Sequence, residues 1–303
     1  MFYKKVLEHV LADWSEVQAD IILDGVLVFG GRWQIFRVSL RHGCRAIPLA
    51  WTIVAGTGIV KVTRLKSMLE KVQKFLKKYV KEVTFFADAG FRGCDWAQLC
   101  LKLGWNYGIR ITYNTYLILA DGKSDRLDHL VPVHCNRYFQ NVLLTQAAKL
   151  RTNVSVTWTT DEQGQPEMVA IITNQIACHA RLREYLYRMS IEQSFRDDKS
   201  SGFDMQHTRL QHAERVDHLM LALAIATLWC HELGEFVLQQ GDDARRCLVD
   251  PSSKRSLSLF QLGLRWLKRS LATDLYVLPD FQATLSNLKL QPVVIPIALN
   301  SNV

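Results

Sequence analysis

The 303-residue chain reads as an α/β protein, a mixed sheet flanked by helices, and three observations carry that reading. Three strand-like runs follow one another between residues 20 and 54 with no helix between them. After them the apolar spacing alternates between helical and strand periods, the pattern of strand-helix-strand crossovers. A composition 49% hydrophobic and 22% charged supplies enough apolar material for one elaborated domain or two.

The elements follow in order. MFYKKVLEHVLADW is amphipathic with charges throughout, which predicts a short helix within 1–19 and argues against a secretory signal. DIILDGVLVF, WQIFRVSL and AIPLAWTIV form a meander of antiparallel strands, divided by Gly30 and Gly31 and by the turn around His42 and Gly43. From Arg64 to Tyr79, Leu65, Met68, Leu69, Val72, Phe75 and Leu76 recur at helical spacing, with Lys66, Lys71, Lys74, Lys77 and Lys78 around the rest of the wheel. That helix buries one face and shows a basic one, suited either to DNA phosphates or to plain solvation. EVTFFA (82–87) is a short buried strand, 94–103 a helix and WNYGIRI (105–111) a strand. The order β-β-β-α-β-α-β is that of a ribonuclease H-like core, whose first part is assigned to 20–112 and in which strands one and four are neighbours.

Beyond Tyr113 the pattern shortens to NVLLTQA, NVSVTWTT and EMVAIITN, with the turn DEQGQP, and predicts an inserted, mainly β subdomain over 113–174. Helices resume over about 180–200, stop near Gly202 and continue over 212–239, so that 175–240 completes the core. The longest apolar run, Leu219 to Cys230, is twelve residues, too short to span a bilayer, and reads as a buried helix. Residues 241–303 form a helical extension and tail: a break at Asp250-Pro251, a helix from about Leu257 to Leu271, then a poorly patterned stretch with Pro279, Pro292 and Pro296.

A net charge of +8 and a pI near 9.1 allow an anionic partner, although a basic surface also serves solubility. Seven cysteines without CxxC spacing and dispersed histidines point to a reducing, cytoplasmic compartment and to no structural zinc or membrane partner.

The acidic residues are more informative. Phosphoryl transfer is well served by two divalent ions, which need carboxylates converging from separate elements. Asp24 is a charge inside an apolar strand, costly to bury unless paired or metal-bound; a strand-edge aspartate before Gly25 is the plainer reading, and Asp20 is a competing choice. Asp88 follows FFA at the C-terminal mouth of a βα unit, where ligands collect, or else serves as a turn or N-cap residue. Tyr185, Arg188, Glu192 and Lys199 stand at offsets 0, 3, 7 and 14, which on an unbroken helix fall within roughly 60° of one face. Arg188 and Glu192 can pair at i,i+4, whereas Glu192 and Lys199, about 10 Å apart along the axis, can only share a long polyanionic ligand.

These residues fit the Y-(2)-R-(3)-E-(6)-K signature, and the chain resembles the DDE transposases of bacterial insertion sequences, insertion-sequence-four type. FFADAGF looks like that family's second-aspartate block, and AIPLAW and IEQSFRDDKSSGF are similar to it as well; the resemblance covers roughly residues 20 to 235. It implies that Asp24, Asp88 and Glu192 are catalytic and hold two Mg²⁺ or Mn²⁺ ions, with Asp24 the weakest match because its block reads only DGV. It implies that Tyr185, Arg188 and Lys199 grip phosphates and that Trp158, otherwise a core residue, stacks on an extruded base. The implied partners are double-stranded DNA (terminal inverted repeats and target) and a second copy in a homodimer on DNA; the implied setting is the bacterial nucleoid. Family members usually carry a sizeable helical segment before the first aspartate, so the 23 residues preceding Asp24 imply a truncated copy, a minimal catalytic core or a reading frame begun too late.

Overall fold

The computed structural model describes residues 3–283 except 13, 15, 44, 145–149, 162 and 274–277. Cys44, Pro292, Pro296 and the last three residues of NVLLTQA therefore lie outside the described residues.

After a short helix α1 (Tyr3–Val10), the predicted meander forms as β1 (Gln18–Val28), β2 (Trp33–His42) and β3 (Arg45–Ala55), each antiparallel to the next. The crossovers follow as α2 (Val62–Leu76), β4 (Glu82–Ala87), α3 (Cys94–Leu103) and β5 (Asn106–Ile111). β4 lies parallel to both β1 and β5, so strands one and four are neighbours, as the order predicts. Gly25 is required where β1 passes β2: a Cβ there would stand 2.7 Å from the ring of Phe36, its cross-strand partner.

The segment after β5, expected as an inserted, mainly β subdomain, runs on from the core sheet. It contributes β6 (Tyr116–Ile118), β7 (Ser124–Arg126), a short α4 (Leu127–Leu130), β8 (Arg137–Leu144), β9 (Leu150–Thr160) and β10 (Pro166–Thr173). These strands extend the core sheet, whose order is β3-β2-β1-β4-β5-β10-β9-β8-β6-β7. The reason is physical: β5 would otherwise leave a row of unpaired backbone groups, and β10 returns antiparallel to cover them. Leu117, Leu127 and Val142 accordingly share one hydrophobic cluster with Leu65, Phe85 and Ile109.

Side chains alternate between the two sides of the strands, and the sides are distinct. Ile21, Leu23, Phe85, Ile109 and Val156 pack towards α2 and α3. Ile22, Phe86 and Ile171 pack instead under two short helices, α5 (His179–Leu186) and α6 (Met189–Arg196). Asp24 shares the parity of Ile22 and so faces α6.

The expected single helix over 180–200 is broken in the structure. Arg188 N–H donates to Tyr185 O at 2.9 Å and Ile191 N–H to Arg188 O at 3.0 Å, a 3₁₀-type turn between α5 and α6. A π-helical turn, Asp197–Ser201, then ends α6. The long α7 (Ala213–Gln239) is extended enough and apolar enough to cross a membrane, but 56% of its apolar window is buried in the protein, where it packs on β3 and on α9 (Leu259–Ala272). A short α8 (Asp242–Leu248) lies between them in sequence.

α7 and α9 cross with their backbones nearly touching, because Gly234 and Gly263 meet at the crossing. A Cβ on Gly263 would lie 1.8 Å from the carbonyl oxygen of Cys230. Gly263→Ala is expected to cost about 3 kcal/mol through forced separation of the helices. Urea denaturation checks it, and a loss under about 0.5 kcal/mol would show that the crossing yields without strain.

Candidate active site

The site begins where β1 and β4 end their pairing. Leu23 is opposite Ala87 in the parallel ladder, so Asp24 and Asp88 are the next residues on adjacent strands. Asp24 is 9% exposed and its Oδ1 accepts from the N–H of Gly25 at 2.7 Å. Asp88 caps the short 3₁₀ turn Ala89–Phe91, its Oδ1 accepting from Gly90 N–H at 2.9 Å. The plain N-cap reading of Asp88 is thus correct, and it does not remove Asp88 from the site.

Glu192 arrives from α6, and Arg188 connects it to the strand. Arg188 Nη1 donates to Asp24 Oδ2 at 3.1 Å, and Nη2 donates to Glu192 Oε1 at 2.7 Å. The i,i+4 pair between Arg188 and Glu192 therefore forms, yet it is no surface pair: Arg188 is 6% exposed. Its Nε donates to Tyr185 Oη at 3.1 Å. Burial raises the Asp24 pKa, the Arg188 charge opposes this, and the charges of Asp88 and Glu192 raise it again, to about 6.

The stripe expected from Tyr185 to Lys199 does not survive as one face, because the 3₁₀ turn and the π turn each shift the helical phase. Tyr185 is buried, edge-on to Phe86 at 6.5 Å between ring centroids, and acts on Arg188 instead of presenting its phenol to solvent. Lys199 sits half-buried on the π turn. Trp158 shares the parity of Val154 and Val156 and packs with them into the α2 and α3 cluster, on the opposite side of the sheet from Asp24. The core reading of Trp158 describes this packing, and stacking on an extruded base remains an expectation from the resemblance. Asp20 is engaged in an ion pair with Arg41, whose guanidinium lies 3.8 Å from the centre of the Tyr187 ring.

One neighbour was missed. Arg37 is the cross-strand partner of Asp24, is 1% exposed, and donates to Asp198 Oδ2 at 2.5 Å and to Ser194 Oγ at 2.7 Å while covering the Phe195 ring. The signal was available: a charge inside the apolar run WQIFRVSL, the same anomaly that singled out Asp24.

Among the described residues, no three His, Cys, Asp or Glu side chains close on one point as a metal-holding group. The donor chemistry still suits a hard divalent cation. Asp24, Asp88 and Glu192 offer only carboxylate oxygens, and each carboxylate has about four lone-pair sites, more than the hydrogen bonds described here use.

Residues 61–229, more than half of the chain, match the family described as transposase DDE domain. The chain belongs to that family. The match takes in Asp88, Tyr185, Arg188, Glu192 and Lys199 and starts after Asp24. DDE transposase domains generally use divalent metal ions. No curated protein sequence matches the chain. Among solved structures, the chain is similar to a piggyBac transposase synaptic complex with hairpin DNA, at 7% identity and a TM-score of 0.43, over 85% of this chain and 54% of that one. It is also similar to Marinitoga piezophila Argonaute with guide RNA and target DNA, at 10% identity and a TM-score of 0.28, over 59% of this chain and 26% of that one. The chain thus spans about a quarter of the Argonaute and about half of the piggyBac transposase.

The raised pKa of Asp24 has a stability consequence. The folded DDE domain holds this proton more tightly than the unfolded chain, so the stabilisation is fully present below about 3.8 and is lost as pH rises through about 6. Asp24→Asn has no such loss. Its stability relative to the parent is expected to improve by roughly 2 kcal/mol between pH 4 and pH 7, measured by denaturation at each pH. A difference that stays flat with pH contradicts the assigned environment.

Proposed function

We propose that this transposase cleaves DNA strands at transposon ends and transfers them into target DNA, the cut-and-paste route, with Asp24, Asp88 and Glu192 as its catalytic carboxylates. The observation that carries the reading is the convergence on Asp24: Asp88 follows Ala87, the β4 ladder partner of Leu23 just before Asp24, and Glu192 reaches Asp24 through one guanidinium. The sheet order β3-β2-β1-β4-β5 supports a ribonuclease H-like core, and the Y-(2)-R-(3)-E-(6)-K spacing supports the insertion-sequence-four type. Two Mg²⁺ or Mn²⁺ ions held by the three carboxylates would supply an activated water and would stabilise the leaving oxygen.

The chain's own residues divide the remaining work. Arg188 offsets the repulsion between Asp24 and Glu192 and keeps both at one strand end. Tyr185 positions Arg188 through the Nε bond. Lys199, beyond α6, supplies a donor for a phosphate of the bound strand. Double-stranded DNA, as terminal inverted repeats and as target, is the partner, in keeping with the net charge of +8, and the working form on DNA is a homodimer.

A second reading draws on the Arg188 bridge itself: with Asp24 and Glu192 committed to a guanidinium, the chain binds ends without cutting them. One assay separates the two. Wild type is expected to nick DNA carrying its flanking inverted repeats in Mg²⁺ or Mn²⁺, and Asp88→Ala to lose at least about a thousandfold of that rate while still binding. Nicking that persists in Asp88→Ala removes the carboxylate assignment, and end binding without nicking by wild type selects the second reading.

A further inference from the structure

A groove of about 480 Å³ lies on the side of the sheet away from Asp24, between α1 and α2 and over the edge strand β3. Its floor is aromatic. Tyr3 lies in it, Trp51 reaches it from the edge strand β3 with its Nε1 donating to Asp217 of α7 at 2.7 Å, and Phe75, 5.2 Å from Tyr79, closes the far side. The charged side chains lining it are all cationic, and no Asp or Glu is among them. Arg64, Lys71, Lys74 and Lys78 are exposed, and none of the four is in an ion pair among the described residues, whereas Lys4, the fifth cation of the lining, is paired with Glu8.

The arrangement of these cations selects the ligand. Arg64, Lys71 and Lys74 are spaced 7 and 3 residues apart, within about 80° of one another on α2, so they form a row about 15 Å long. A small anionic head group would call for cations converging on one point. A row beside an aromatic trough suits a polyanion that carries planar, apolar groups at intervals.

We propose that this groove binds single-stranded DNA, with successive phosphates on Arg64, Lys71, Lys74 and Lys78 and a base against Phe75. A single strand is favoured over a duplex because only unpaired bases are free to enter the trough. The proposal rests on the reading of the chain as a DNA-processing enzyme, and it gives that enzyme a second contact, on the opposite side of the sheet from the carboxylates, for a strand freed from its duplex.

The test uses the full chain and fluorescence anisotropy with a labelled oligothymidylate of about 15 nucleotides, an abasic oligomer of the same length, and phosphatidylserine vesicles. Lys71→Ala/Lys74→Ala, both at exposed positions, is expected to weaken oligothymidylate binding on the order of tenfold near 0.1 M salt and to flatten the log-log salt slope by about 1.4. Phe75→Ala is expected to weaken oligothymidylate binding about fivefold or more and to leave the abasic oligomer unchanged. Unchanged binding and slope in the lysine variant overturn the proposal, as does a lysine variant that loses only vesicle binding. The outcome is separable from that of the catalytic reading. A chain that nicks terminal repeats but binds oligothymidylate independently of Lys71 and Lys74 loses only the groove; one that binds through those lysines and never nicks loses only the catalysis.

Discussion

The arrangement depends on a guanidinium almost cut off from water. Burying a cation costs several kcal/mol unless its donors are met, and Arg188 meets that cost with Asp24 on β1, Glu192 on α6 and the phenol of Tyr185 on α5. Three separate elements are thereby tied to one plane of donors. The tie is reciprocal, because Asp24 is itself buried and would be an uncompensated charge without its partner.

A second buried arginine repeats the device further along α6. Arg37, next to Asp24 across the β1–β2 ladder, holds Ser194 and Asp198, so α6 is clamped near its start by Arg188 and near its end by Arg37. Glu192 lies between the two clamps, which is why a partly exposed carboxylate on a helix of eight residues has a defined place beside the sheet. The 3₁₀ turn at Tyr187 and Arg188 fits this scheme, since it allows Tyr185 to pack on Phe86 while Arg188 reaches the strand.

The sheet divides the chemistry between its two sides. Alternation along β1 sends Ile21 and Leu23 to the α2 and α3 core and Asp24 to the α6 side, so the acidic cluster and the basic groove over β3 are kept apart by the sheet itself. Separation has an electrostatic benefit. Cations that gather phosphates on one side do not neutralise the carboxylates on the other.

Much of this was legible from residue order. The limits of β4 and α3 agree with the sequence reading to the residue, because both are short segments whose apolar periodicity is unambiguous, and the adjacency of Asp24 and Asp88 follows from strand order alone. A charge set in an apolar strand pointed to Asp24, and the same rule applied to WQIFRVSL would have found Arg37, which was missed. The continuation of the sheet through β10, the break in the helix at Arg188 and the side on which Trp158 falls were decided only by tertiary structure. The physical reason is range. Periodicity and turn residues act over a few positions, so the sequence by itself determines which segments are strands or helices and which charges are out of place. Edge pairing, helical phase at a break and the side a strand turns to the core depend on partners far along the chain, and only the packed sheet supplies them.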